Sequence, residues 1–296
     1  MDKRGVLFIL AAAVLWGTTG TAQALAPAGA QSLAIGTLRL VVSAAALGVA
    51  ALTTSISTSQ TAQTTPGKMH PGLLLLSAAC MAAYQVLFFA GVARTGVAVG
   101  TIVGIGSSPV LAGLLATLFR GERLTPRWAA ATLLAVAGCA LLALTGGEVD
   151  VDLFGILLAV GAGAAYATFS LASKSLLQNR SAGQVMAAVF GLGAIFLAPL
   201  LFSQDLSWLA QPRGMGVVLW LGVFATALAY TLFGKGLART PVAAAVTLSL
   251  AEPLTAGLLG VLLLGERLTP LAWVGIALIF SGLAVLAVPG NRMPGS

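Results

Sequence analysis

The chain has 296 residues, 58% of them hydrophobic and only 8% charged, with a net charge of +7. A water-soluble domain carries roughly a quarter of its residues charged, so a soluble globular protein is excluded and a lipid-embedded one is implied. The basic residues stand singly at the ends of apolar runs, which argues against nucleic acid as a partner and for a membrane-orientation signal. Cys80 and Cys139 both fall inside apolar segments, so neither a disulfide framework nor a metal cluster is indicated.

Runs long enough to cross about 30 Å of hydrocarbon, roughly 20 residues each, occur at 5–26, 32–53, 71–92, 96–119, 126–145, 153–177, 184–203, 214–235, 241–264 and 270–288. These long Leu/Ala/Val/Gly stretches lack the alternation of barrel strands. They predict an all-α integral membrane protein of ten transmembrane helices. The first run follows Lys3 and Arg4 and ends near Ala22-Gln23-Ala24, which has the look of a signal peptide. Against that reading, the run from Gly5 (GVLFILAAAVLW) matches the run from Gly155 (GILLAVGAGAAY), so removing it would leave two unequal halves. The stretch Thr53 to Lys68, rich in Ser, Thr and Gln, reads as a cytoplasmic loop. His70, beside Pro71, reads as an interfacial residue at a helix start.

Loop charges fix an expected orientation. With the N-terminus in the cytoplasm, Lys3, Arg4, Lys68, Arg120, Arg123, Arg127, Lys174, Arg180, Lys235, Arg239 and Arg292 lie inside, against Arg94, Arg213 and Arg267 outside. Eleven to three is a strong bias, and it puts both termini in the cytoplasm of a multi-pass inner-membrane protein. Glu148, Asp150, Asp152, Asp205 and Glu266 fall outside.

The chain repeats itself. GERLTP occurs at Gly121–Pro126 and again at Gly265–Pro270; Ala-Arg-Thr occurs at 93–95 and 238–240; Pro109-x-x-Ala112-Gly113-Leu114-Leu115 recurs at 253–259. Five helices per half then place the second copy upside down relative to the first, with units at 1–146 and 147–296, a build typical of transporters. The GERLTP loop has a structural reading: Gly121 or Gly265 ends one helix, Thr125 or Thr269 caps the next, and Pro126 or Pro270 takes its first turn.

This arrangement resembles the EamA-type transporters of the drug/metabolite transporter superfamily, in which each five-helix half ends in a proline-containing helix, a G-E turn and a final apolar helix. The matching residues are Pro109 through Pro126 and Glu252-Pro253 through Pro270, together with Trp16-Gly17 and Arg39. Within the superfamily the chain looks most like the amino-acid exporters, including the YddG-like group. The resemblance implies alternating access around a central cavity and a small-molecule substrate, an amino acid foremost.

Several residues are candidates to line that cavity. Pro109 and Pro253 each free the carbonyl four residues earlier, at Ile105 and Ser249, and such breaks are tolerated only beside protein or a water-filled cavity; each is a kink satisfied by neighbours or a hinge. Glu252 is an acidic residue near the midplane of its span. A carboxylate there costs at least about 2.5 kcal/mol unless it faces the interior with a partner or a proton. Arg39 is a basic residue inside a span, and an Arg39–Glu252 pair would answer both problems; proton coupling through Glu252 is the alternative. Tyr84 with Gln85, Tyr166 with Thr168, Tyr230, Trp16 and Ser108 complete the set, either as packing or as a lining suited to an amphipathic metabolite. Trp128, Trp208 and Trp273 sit near helix ends, as an interfacial belt would place them.

No catalytic constellation, Walker loop, metal motif or cofactor fingerprint competes with this reading. Uphill movement must then draw on an ion or substrate gradient, which makes a secondary carrier the expectation. A passive channel or facilitator, a multidrug or nucleoside exporter of the same superfamily, and a membrane-bound enzyme are the alternatives.

Overall fold

The computed structural model describes residues 2–58, 69–144, 152–178, 180–265 and 268–287. Within them the chain is helical, with ten apolar spans: α1 Lys3–Ala24, α2 Ser32–Thr58, α3 Pro71–Gly96, α4 Val99–Arg120, α5 Pro126–Leu144, α6 Leu153–Leu176, α7 Ala182–Leu197 continued by a 3₁₀ turn Ala198–Ser203, α8 Pro212–Leu237, α9 from Val242 to Leu264, and α10 Pro270–Ala287. The expected loop from Thr53 to Lys68 is corrected at its start, where α2 continues as helix to Thr58, and its remainder, 59–68, lies outside the described residues, as do Glu148, Asp150, Glu266, Arg267 and Arg292.

Three departures from the expected spans have local causes. The gap foreseen between residues 92 and 96 is instead a reversal on one residue, Gly96, whose φ of 77° and ψ of 165° are open only to glycine. There α3 folds straight back into α4, bringing Gly100 against Val92 and Gly104 against Phe88. In α8 the middle third, Trp220–Leu228, is a π-helix, and the Thr226 hydroxyl donates to Leu221 O, five residues back, at 2.7 Å. In α9 the helix is interrupted between Leu248 and Ala251, and the carbonyl that Pro253 frees, Ser249 O, accepts the Glu252 N–H at 2.9 Å. By contrast α4 runs unbroken through Pro109, so the two prolines do not produce equal kinks.

The halves are antiparallel. Along the seam between α5 and α10, Gly138 faces Gly275 and Ile279 while Gly282 faces Ala131 and Ala135, so one helix rises as the other descends. Gly138 and Gly282 are 144 residues apart, as are Ala131 and Gly275. Each contact is therefore the image of the other under the repeat. The same relation ties helices across the halves: α1 meets α8 where Gly5 approaches Gly236, and α6 meets α3 where Gly155 approaches Gly91. Beside each glycine pair sits an ion pair, Asp2–Arg239 at 3.1 Å and Arg94–Asp152 at 3.2 Å, at opposite ends of the bundle. Each aspartate also caps its own helix, taking the Arg4 N–H in one case and those of Phe154 and Gly155 in the other. The Arg94 hydrogen bond foremost, then the Gly155 N–H, holds the Asp152 carboxyl below the usual carboxylate range; for Asp2 the Arg4 backbone bond leads and Arg239 follows.

The first GERLTP loop has the expected caps. Gly121 ends α4 in the left-handed conformation at φ 63°, and the Thr125 hydroxyl accepts the Trp128 N–H at 3.1 Å to start α5 behind Pro126. Trp208 and Trp128 correct the interfacial-belt expectation: Trp208 is 2% exposed and donates to Asp205 O, and Trp128 Nε1 donates to Thr247 Oγ1 of α9 at 3.1 Å.

Candidate functional site

Two packing units form around the exchanged helices. Small residues let α6 lie backbone to backbone against α3 and α4, where Gly163 faces Ser107 and Gly104; on the other side Gly17 of α1 fits against Thr255 and the Glu252 carbonyl of α9. Between the two units is a small cavity of about 40 Å³, lined by Trp16 and Thr19 of α1, Arg39 of α2, Tyr84 of α3, Ile105 and Ser108 of α4, Tyr166 of α6, Tyr230 of α8, and Ser249 and Glu252 of α9.

Seven of the eight residues expected around a cavity meet here. The eighth, Gln85, stands one layer behind: its Oε1 accepts from the Arg39 guanidinium at 3.1 Å, and it is 3% exposed. Arg39 and Glu252 line the same space but form no ion pair with each other. The guanidinium is steered by a neutral amide instead, and among the described residues the Glu252 carboxylate has no hydrogen-bond partner. Four further buried polar atoms at the site, Trp16 Nε1, Arg39 Nε, Gln85 Nε2 and the Tyr166 hydroxyl, are also unpaired.

The aromatic wall is continuous. Trp16 lies 4.7 Å from Tyr230 and 6.4 Å edge-on from Tyr166, and Tyr166 lies 5.6 Å from Tyr84. Behind it Phe169, Phe190 and Phe233, all under 2% exposed, form a rigid backing that the sequence reading passed over. The hydroxyls of Ser108, Ser249 and Thr168 are engaged on their own helices, with Gly104 O at 2.8 Å, Val246 O at 2.7 Å and Ala164 O at 2.8 Å, so the cavity's polarity rests mainly on Arg39, Glu252 and the aromatic rims.

The lining obeys the repeat. Trp16 and Tyr166 are 150 residues apart, Ile105 and Ser249 are 144 apart, and so are Ser108 and Glu252. The cavity therefore straddles the axis relating the halves. Thr19, Ile105 and Ser249 were not among the expected lining residues, and the signal for the last two was that theirs are the carbonyls Pro109 and Pro253 free. Glu122 was also passed over as a site residue. Its carboxylate accepts the N–H groups of Val242 at 3.0 Å and Ala243 at 3.4 Å, and its recurrence in both GERLTP strings was the available clue.

Two stretches, 3–144 and 153–288, each match the profile of the EamA-like transporter family. The chain belongs to that family. Among similar proteins, the "Uncharacterized transporter YwfM" of Bacillus subtilis (strain 168) is 46% identical over 287 residues, spanning 97% of this chain and 94% of the relative. A "Probable terminal-alkyne amino-acid exporter" of Streptantibioticus cattleyicolor is 29% identical over 217 residues, 73% of this chain and 72% of the relative. The threonine/homoserine exporter RhtA of Escherichia coli (strain K12) is 32% identical over 157 residues, half of each chain. A solved crystal structure superposes with a TM-score of 0.82 across 96% of both chains at 21% identity, which establishes the shared fold. This EamA-family member is thus a multi-pass membrane transporter of ten helices in two inverted five-helix repeats.

Proposed function

We propose that this transporter exports small zwitterionic metabolites, neutral or aromatic amino acids foremost, across the inner membrane by alternating access, with both termini in the cytoplasm and Pro253 at a hinge of α9. The observation that carries the reading is the pairing of one carboxylate and one guanidinium in a single aromatic-walled cavity, neither neutralising the other. An α-amino acid offers an ammonium for Glu252, a carboxylate for Arg39 and an apolar side chain for Trp16, Tyr84, Tyr166 and Tyr230. A charge-assisted bond at each end fixes the ligand's orientation, and the ring faces accept side chains of varied shape. The export activity named for two relatives points the same way, and the eleven-to-three distribution of loop cations supports the orientation. Without a nucleotide-binding loop, the driving force is a gradient of the substrate or of protons, with Glu252 the group to carry the proton.

Counter-flow in proteoliposomes tests the proposal. Vesicles loaded with unlabelled amino acid should accumulate labelled amino acid transiently above equilibrium. Simple equilibration would identify a passive pore, and absence of uptake for every amino acid in the panel would remove the substrate class.

A further inference from the structure

At the end of the bundle that holds the N-terminus, the turn between α8 and α9, residues 238–241, is gripped from the facing helices. Lys174, at the end of α6, donates to the carbonyls of Leu237 at 2.6 Å, Ala238 at 3.2 Å and Thr240 at 3.0 Å. An ammonium has three donors, and all three are used. Two of the acceptors, the Leu237 and Ala238 carbonyls, are among those that the C-terminus of α8 leaves orphaned at the negative end of its dipole, and the third, Thr240 O, belongs to the turn. Glu122, from the loop after α4, does the converse at the start of α9, accepting the Val242 and Ala243 N–H groups at the positive end of that helix. Arg120 links the two grips, donating to Ser175 at 3.0 Å and lying 3.9 Å from Glu122.

The Lys174 contacts cross between the packing units. Lys174 belongs to the unit of α3, α4 and α6, and the end of α8 that it holds belongs to the unit of α1 and α8, while the first segment of α9, which Glu122 caps, packs against the α3–α4 hairpin and α1 alike and the cavity lies between the units. A route from the cavity to this end of the bundle must part the same seam. The ion pairs Asp2–Arg239 and Arg94–Asp152, by contrast, join helices within one unit and have no seam to close. The repeat relation that reproduces those two pairs at both ends fails at Lys174: the position 150 residues earlier is Ala24, which has no ammonium to offer.

We propose that Lys174 and Glu122 are the gate-positioning residues at the N-terminal end of the bundle, holding the α8–α9 turn shut until the units separate. The inference rests on the alternating-access reading above, but its test needs neither substrate nor transport. A reporter Ser249→Cys is placed in the cavity of a chain carrying Cys80→Ala and Cys139→Ala, in vesicles whose sidedness is read from a tag on the N-terminus. The rate of labelling by a membrane-impermeant maleimide is then measured from each side. Lys174→Met should speed labelling from the N-terminal side at least threefold without speeding it from the other side, Glu122→Gln should do the same to a smaller extent, and Lys174→Arg should stay near the parent rate. The proposal is overturned if both variants leave the N-terminal rate unchanged, or if both raise the two rates equally, as a loosened fold would. Where Lys174→Met does not yield folded protein by gel filtration, Glu122→Gln decides alone.

Discussion

Replacing Glu252 by glutamine keeps the side-chain shape and removes the charge, so it isolates what the carboxylate contributes to ligand binding. Among the described residues the Glu252 carboxylate has no hydrogen-bond partner, so substitution breaks no hydrogen bond within the protein. A hydrogen bond to a charged group contributes about 1.5–3 kcal/mol, and each 1.4 kcal/mol is tenfold in affinity, so Glu252→Gln should weaken binding of an amino acid about 10- to 150-fold. The assay is equilibrium binding to purified protein with three matched ligands: an amino acid, the amine lacking its carboxylate, and the acid lacking its ammonium. Glu252→Gln should weaken the first two alike and alter the third by less than about threefold. Arg39→Met should do the reverse, weakening the amino acid and the acid while sparing the amine. Equal losses for all three ligands in either variant would reduce the effect to cavity shape. Unchanged affinity for the ammonium-bearing ligands in Glu252→Gln would refute the zwitterion reading outright.

A Cβ added at Gly138 would lie 2.5 Å from Gly275 O, and one at Gly282 would lie 2.6 Å from Ala131 O, so either alanine must push α5 and α10 apart. Gly138→Ala and Gly282→Ala should each lower the thermal midpoint in detergent, by a destabilisation of about 1–3 kcal/mol, whereas Gly48→Ala, with nothing within 4 Å, should be neutral or stabilising; a single sensitive glycine would break the symmetry argument. Because Arg94 and the α6 backbone hold the Asp152 carboxyl below its ordinary range, its contribution is complete above about pH 3.9 and fades as pH falls through the lower folded value. Thermal melts should therefore show the wild type losing its advantage over Asp152→Asn below about pH 4, and a gap that widened there would invert the assignment.

What the sequence disclosed depended on whether a feature is local. Ten spans were readable because hydrocarbon thickness sets a minimum apolar length, and the inverted halves because GERLTP survives letter for letter. The α3–α4 reversal was displaced because Gly96 turns the chain with no polar loop to interrupt the apolar run. The α9 break falls at Ser249-Leu250, beside the carbonyl that Pro253 was read to free, whereas the same reading at Pro109 did not reveal that α4 runs on unbroken. Arg39 was matched to Glu252 by cost alone; the amide of Gln85, on a helix 46 residues further on, satisfies it without neutralising it. Trp128 looked interfacial because nothing near it in sequence announces Thr247, 119 residues away. Glu122 is the same case: a turn residue by its neighbours, and a cap on another helix by its contacts.

The places where the halves differ carry the chemistry. Two identical inverted units would give a cavity whose opposite walls present the same groups, suited to a ligand that looks alike from both ends. Trp16 and Tyr166 keep that balance, since both are amphipathic rings. Ser108 faced by Glu252, and Arg39 with Val189 in the corresponding position 150 residues on, do not. Each charge is present once in the lining, and on the proposed reading this lets a zwitterion enter in one orientation only. On the proposed gating, the same loss of symmetry at Lys174 and Ala24 makes the two ends of the bundle unequal in what holds them closed. Under that proposal duplication supplies two related gates, and divergence at a few positions sets the polarity of the ligand and distinguishes one gate from the other.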